Sequence, residues 1–169
     1  MTVPAVMPMD LGSWTIRRGT PTDLDGIMKI ESSVFANDAW SPVTMQLELR
    51  SEHTVYLVVA RNDDPTVIDG YAGLFAPIGA SDADIQTIAI VPTARRQGLA
   101  KALMLALEAD ARERGATQLF LEVREDNPDA QVLYRGLGFE QIGSRPHYYQ
   151  PDDVTALVMR LKLGASEVL

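Results

Sequence analysis

The sequence predicts one mixed α/β domain, a mixed sheet with helices on its faces. Three observations lead there. β-rich runs and amphipathic runs follow one another as β-α-α-β-β-β-α-β-α-β-β, an order that demands a sheet covered by helices. The length, 169 residues, is that of a single domain. A composition of 46% hydrophobic and 22% charged residues belongs to a globular chain, not to a disordered, collagen-like or low-complexity one.

Each element has a local reason. Trp14 to Arg18 reads as a short strand. Thr20-Pro21-Thr22-Asp23 then starts a helix, with Thr20 as N-cap, Pro21 where a missing N–H costs nothing, and Asp23 completing a capping box. Leu24, Ile27, Met28, Ile30, Val34 and Phe35 supply its apolar face. Ser41-Pro42 opens a second helix to about Arg50, with Val43, Leu47 and Met45 expected inward. His53 to Arg61 and Val67 to Ile78, separated by the turn cluster Asn62 to Pro65, read as an antiparallel hairpin. Ile85 to Val91 is the next strand. Leu99 to Arg114 is a helix, with Leu99, Leu103, Ala106 and Leu107 on one side and Lys101, Glu108 and Arg112 on the other, closed by Gly115. Thr117 to Arg124 is a strand, Pro128 to Leu137 a short helix capped by Asn127, and Phe139 to Tyr149 and Val154 to Leu163 are the last two strands. Residues 1–12 are expected to be a flexible arm, 13–163 the domain and 164–169 a tail.

Composition excludes several functions. With 15 Lys and Arg against 23 Asp and Glu, the formal charge of −8 argues against binding a phosphate backbone. There is no cysteine, so no disulfide framework, thiolate zinc site or acyl-thiol enzyme intermediate is available; this fits a reducing cytoplasm, and no metal is expected. Met1 to Gly12 lacks a basic stretch and an unbroken apolar run, so it does not read as a signal peptide. The longest apolar runs are strand-sized, which speaks against a membrane span.

Two places carry chemistry. Pro92-Thr93-Ala94-Arg95-Arg96-Gln97-Gly98-Leu99-Ala100 joins a strand to a helix, where the N–H groups of a helix start can hold an anion. A simple turn beside two solvated arginines is the competing reading. Neither GxxxxGK[ST] nor a strand-borne G-x-G-x-x-G is present. In Leu119-Phe120-Leu121-Glu122-Val123, Phe120 and Glu122 point to the face opposite Leu119, Leu121 and Val123. Glu122 is either a proton-transfer group or the partner of an arginine such as Arg124 or Arg135. Tyr134, beside Leu133 and Leu137, taken alone reads as a core residue.

Together these segments resemble the GCN5-related N-acetyltransferase family. The string Arg95-Arg96-Gln97-Gly98-Leu99-Ala100 matches its [QR]-x-x-G-x-[GA] motif. Asn127 to Phe139 matches N-x-x-A-x-x-L-Y-x-x-x-G-F. The resemblance implies a largely antiparallel sheet with two splayed central strands, and acetyl-CoA as co-substrate. Its pyrophosphate would rest on the loop of Arg95, Arg96, Gln97, Gly98, Leu99 and Ala100, and its pantetheine against Ile88, Ala89 and Ile90, with Asn127 nearby.

Ala39-Trp40-Ser41, Thr87-Ile88-Ala89-Ile90, Leu121-Glu122-Val123-Arg124, Leu133-Tyr134 and Tyr148-Tyr149 resemble the ribosomal-protein-alanine N-acetyltransferase branch. That likeness implies Glu122 as general base, Tyr134 as general acid, and Trp40, Tyr148 and Tyr149 around a protein N-terminus; the charge balance and the short apolar runs lead to the expectation of no nucleic-acid or membrane partner. Ala39, His147 and Gln150 depart from the branch pattern and bear on substrate choice. Two rival functions remain. One is acetylation of a small amine or a lysine side chain; the other is a coenzyme-A-binding module without catalysis, against which the presence of both Glu122 and Tyr134 argues.

Overall fold

The structure, a computed structural model, describes residues 6–164. Eight strands form one sheet: β1 (Met9–Leu11), β2 (Trp14–Arg18), β3 (Thr54–Arg61), β4 (Ile68–Phe75), β5 (Asp82–Ile90), β6 (Gln118–Arg124), β7 (Glu140–Tyr149) and β8 (Val154–Lys162). Their order across the sheet is β1-β2-β3-β4-β5-β6-β8-β7. Every neighbouring pair is antiparallel except β5 and β6. Four α-helices cover it: α1 (Leu24–Phe35), α2 (Pro42–Arg50), α3 (Leu99–Glu113) and α4 (Pro128–Gly136).

The period-2 alternation of the strands sorts two cores onto the two faces. On β3, Val55, Leu57 and Val59 join a core with Leu103, Leu107, Leu119 and Tyr134. Tyr56, Val58 and Ala60 turn the other way, toward Ile27, Ile30, Met45 and Tyr71. So α3 and α4 cover one face, and α1 and α2 the other.

The helix starts follow the expected chemistry. Thr20 and Asp23 form the capping box around a single 3-10 turn, Pro21–Asp23, that leads into α1. The Ser41 hydroxyl accepts from the Thr44 N–H at the start of α2, and the Asn127 side chain accepts from the Ala130 N–H at the start of α4. Gly115, with φ of 100°, lies just beyond α3 in the left-handed region that an L side chain resists.

Three expectations are corrected. Part of the N-terminal arm is sheet: Met9–Leu11 pairs with β2, Met9 opposite Ile16 and Leu11 opposite Trp14. Met9 and Leu11 pack on the core while Asp10 is exposed, an alternation too short to stand out in the sequence. Residues 1–5 of that arm and 165–169 of the tail lie outside the described residues. On α2, Met45 is fully buried, but Val43 and Leu47 are 69% and 66% exposed, because the inward stripe is Met45 with Leu49. On α3, Glu108 is buried rather than on the solvent face, and its Oε1 has no hydrogen-bond partner among the described residues. Burial raises its pKa, with nearby Arg112 pulling the other way.

Candidate active site

The parallel pairing of β5 and β6 is brief: Asp82, Ala83 and Asp84 lie opposite Gln118, Leu119 and Phe120, and no pair follows. Both strands continue, β5 held on its far side by β4 as far as Ile90 and β6 by β8 as far as Arg124. The sheet therefore opens into a cleft between them. The polarity of the cleft wall follows from the antiparallel ladder. The Val91 N–H donates to the Asp69 carbonyl at 2.9 Å. Alternation along the ladder then turns Ala89 toward β4 and leaves the N–H groups of Ile88 and Ile90 facing the cleft.

Glu122 and Tyr134 lie on opposite faces of the sheet. Leu119, Leu121 and Val123 are buried in the core beneath α3 and α4, so Phe120 and Glu122 face the side of α1 and α2. Tyr134, on α4, is 7% exposed and packs edge-on to Phe139 at 6.0 Å. Its burial pushes the phenol pKa up to about 12.

Glu122 opens into a groove of about 900 Å³ lined by Trp40, Gln86, Phe120, Arg145, Tyr148 and Tyr149, among others. The arginine paired with Glu122 is Arg145 on β7, at 3.2 Å, rather than Arg124 or Arg135. Arg145 also lies over the Tyr148 ring at 5.7 Å, and that ring meets Tyr149 edge-on at 5.1 Å. Arg124 instead bonds Asp38 at 2.6 Å, Asp126 at 2.9 Å and Asp152 at 3.2 Å. It thereby ties β6 to the α1–α2 connection and to the β7–β8 turn, the two walls of the groove. Trp40 is half-buried, packing on the second core while it borders the groove.

At the far end of the cleft, β5 runs into the loop before α3. Arg96 and Gly98 have φ of 63° and 79°. Gly98 precedes α3, whose first internal bond is Ala102 N–H to the Gly98 carbonyl at 3.1 Å, so the N–H groups of Leu99, Ala100 and Lys101 have no partner within the helix. Arg95 is a strap: its Nε donates to the Ile90 carbonyl at 3.0 Å and holds the loop to β5. Arg96 and Gln97 are exposed. Asn127 serves as the cap of α4. The free N–H groups of the cleft wall and of this helix start suit a long ligand that carries a phosphate at one end.

Reading the sequence missed Asp38, Asp84, Gln86 and Arg145. Asp84 and Gln86 line the groove; the polar alternation of Asp82 and Asp84 at the start of β5 was a usable signal for the first. Desolvation, then Asp82 and Glu122, raise the Asp84 pKa. Arg145 sits on a strand with no apolar alternation to mark its inward face.

Residues 24–139 match the acetyltransferase (GNAT) family. The N-alpha-acetyltransferase RimI of Mycobacterium tuberculosis is 33% identical over 94% of this chain and 98% of its own length. The uncharacterized protein ML0378 of Mycobacterium leprae is 37% identical over 83% of this chain, which spans only 38% of that longer protein. The crystal structure of the ribosomal-protein-S18-alanine N-acetyltransferase from Escherichia coli superposes with a TM-score of 0.79 at 31% identity, covering 92% of this chain and 98% of that one. The chain belongs to the acetyltransferase (GNAT) family, as an N-acetyltransferase that resembles the ribosomal-protein-alanine branch.

Proposed function

We propose that this enzyme moves an acetyl group from acetyl-CoA directly to the N-terminal α-amine of a protein in the cytoplasm, with the N-terminal alanine of the eighteenth small-subunit ribosomal protein as the acceptor. The observation that carries the reading is that Glu122 lines the groove on the α1–α2 face of the opened sheet while Tyr134 lies on the opposite face. An acceptor entering from the α1–α2 side meets the carboxylate. A thioester entering from the α3–α4 side meets the phenol.

The residues divide the work. Ile88, Ala89 and Ile90 hold the pantetheine along the cleft wall. Arg95, Arg96, Gln97, Gly98, Leu99 and Ala100 shape the pyrophosphate seat, through backbone N–H groups more than through the guanidinium groups, and Asn127 borders it by capping α4. Acetyl-CoA supplies an acyl group activated as a thioester.

An α-amine, with an ordinary pKa near ~8, is mostly ammonium at neutral pH and cannot attack. Glu122 removes that proton, directly or through water. The Ile90 N–H donates to the carbonyl oxygen as negative charge develops there. The Tyr134 hydroxyl returns a proton to the departing thiolate, and its raised pKa keeps that proton in place until then. Trp40, Tyr148 and Tyr149 border the peptide. The absence of cysteine from the sequence favours direct transfer over a thiol-bound intermediate.

Mass spectrometry of reactions with acetyl-CoA tests the reading. The acceptors are an alanine-initiated peptide, the same peptide with its N-terminus blocked and an internal lysine left free, and a polyamine. The expected result is one acetyl group on the free α-amine. Acetylation of the blocked peptide or of the polyamine in preference would replace this reading with a lysine or small-amine activity.

A further inference from the structure

The β4–β5 ladder is irregular at one point. Gly73 pairs with Thr87 and Leu74 with Ile85, so Gln86 has no partner residue and forms a bulge. A bulge re-aims side chains, and this one turns both Gln86 and Thr87 to the α1–α2 face. The Gln86 side chain meets Tyr56 and Glu48, while Thr87 meets Tyr71 and Glu31.

The Gln86 amide is held in one orientation. The Tyr56 hydroxyl donates to Oε1 at 2.9 Å, and Nε2 donates to Glu48 Oε2 at 3.1 Å. The chemistry allows no flip, because a carboxylate accepts and only the amide nitrogen can donate to it. Tyr56 keeps its proton: burial first, then Glu48 and Glu31, raise its pKa. The Tyr56 ring is itself packed against Gly73, where an added Cβ would collide with it. One N–H of Nε2 and one lone pair of Oε1 remain, and Gln86 is half-exposed on the groove wall.

The groove sets what this amide faces. Asp84 lies opposite Phe120 in the last parallel pair, and beyond it Gln86 on β5 and Glu122 on β6 line the same groove from the two sides of the cleft. An α-amine at Glu122 is followed, within one residue, by a peptide group carrying one acceptor and one donor. A lysine amine is followed by four methylenes.

We infer that Gln86 recognises the first peptide group of the acceptor, its fixed Oε1 accepting from that group's N–H. It is thus a specificity residue selecting peptide α-amines over lysine and simple amines. Glu48 and Tyr56 are positioning residues that act through it. The inference rests on the N-terminal acetyltransferase reading above and names the group that makes the choice.

The test is a cycle between enzyme and substrate. The enzymes are the parent, Gln86→Leu, Gln86→Met and Tyr56→Phe. The substrates are an alanine-initiated peptide and its depsipeptide, in which an ester oxygen replaces the first amide N–H. In the parent, the ester is expected to raise KM about three- to tenfold with little change in kcat, the loss of one hydrogen bond. In Gln86→Leu and Gln86→Met, KM for the peptide rises by a similar factor and the ester costs nothing further. In Tyr56→Phe, which keeps the ring, the discrimination is reduced but not abolished. Melting temperatures identify any variant that is misfolded, and the second Gln86 variant then stands in for the first. An equal ester penalty in the parent and the Gln86 variants overturns the inference while leaving the N-terminal reading intact. A parent enzyme that acetylates no peptide at its N-terminus overturns both.

Discussion

Replacing Gly98 separates conformation from contact at the proposed pyrophosphate seat. Gly98 has φ of 79° and ψ of 8°, in the left-handed region, and an added Cβ would meet no atom within 4 Å. The cost of a side chain is therefore conformational, about 1–2 kcal/mol for an ordinary residue and greater for a β-branched one. Gly98→Val can keep the backbone and accept that loss of stability, or relax and turn the N–H groups of the α3 start away. Losing one or two charge-assisted hydrogen bonds, each about 1.5–3 kcal/mol, corresponds to a roughly 10- to 10⁴-fold weaker affinity for coenzyme A. Gly98→Asn provides the contrast, since asparagine tolerates the left-handed region, and should retain most of the affinity. Calorimetric titration of coenzyme A into each variant, with a thermal melt alongside, reads both quantities. Equal affinity in the glycine, valine and asparagine proteins, with no loss of melting temperature in Gly98→Val, would refute the claim that backbone shape builds the seat.

Two further outcomes follow from buried groups. Tyr134→Phe keeps the ring against Phe139 and removes the proton donor, so kcat should fall about tenfold or more while calorimetric affinity for coenzyme A stays constant; a change confined to the acetyl-CoA KM would make Tyr134 a binding residue. Glu31 on α1 is 1% exposed, accepts from Tyr71 at 2.7 Å and has no partner for Oε2 among the described residues. Burial raises its pKa above the ordinary 4.5 against the opposing bonds from Tyr71 and Thr87. A carboxyl with a raised folded-state pKa stabilises the fold most when protonated, below its unfolded value, and that contribution is lost as pH rises through the folded value. The melting temperature of Glu31→Gln relative to the parent should therefore climb as pH is raised from about 4 to about 8; a difference that is flat with pH would show that Glu31 does not titrate in this range.

Much of the fold was legible because local chemistry and tertiary structure agree. The Thr20 to Asp23 box, the Ser41 and Asn127 caps and the Leu103 and Leu107 stripe all point to the elements that form. The misreadings occur where periodicity is weak. A helix of nine residues with one buried position offers two plausible phases, and Val43 with Leu47 was the wrong one. The three residues of β1 are too few to show a period. Glu108 was assigned by polarity alone, although its buried neighbours Leu107 and Ala111 crowd the same stretch of helix.

At the site, Glu122 was legible as a carboxylate placed opposite the core-facing positions of a strand, and its role and that of Tyr134 came only from resemblance. Its pairing with Arg145 was hidden, because β7 and β6 meet only through β8, a long-range arrangement that no local spacing encodes. Gln86 was hidden for another reason: strict alternation turns it away from Thr87, and the bulge that brings both to one face is a property of the paired strands.

The central claim is that Glu122 accepts the proton of the acceptor amine. Its pair with Arg145 lies between side chains 28% and 59% exposed, and such pairs contribute only about 0–1 kcal/mol to stability. Folding therefore cannot account for a large loss of rate. The decisive measurement is kcat/KM of Glu122→Gln for an alanine-initiated peptide across pH, with coenzyme A affinity and melting temperature determined on the same protein. The account predicts a fall of about 10² to 10⁴, unchanged coenzyme A affinity and a melting temperature close to the parent's. Parent-level activity in Glu122→Gln throughout the pH range would contradict it.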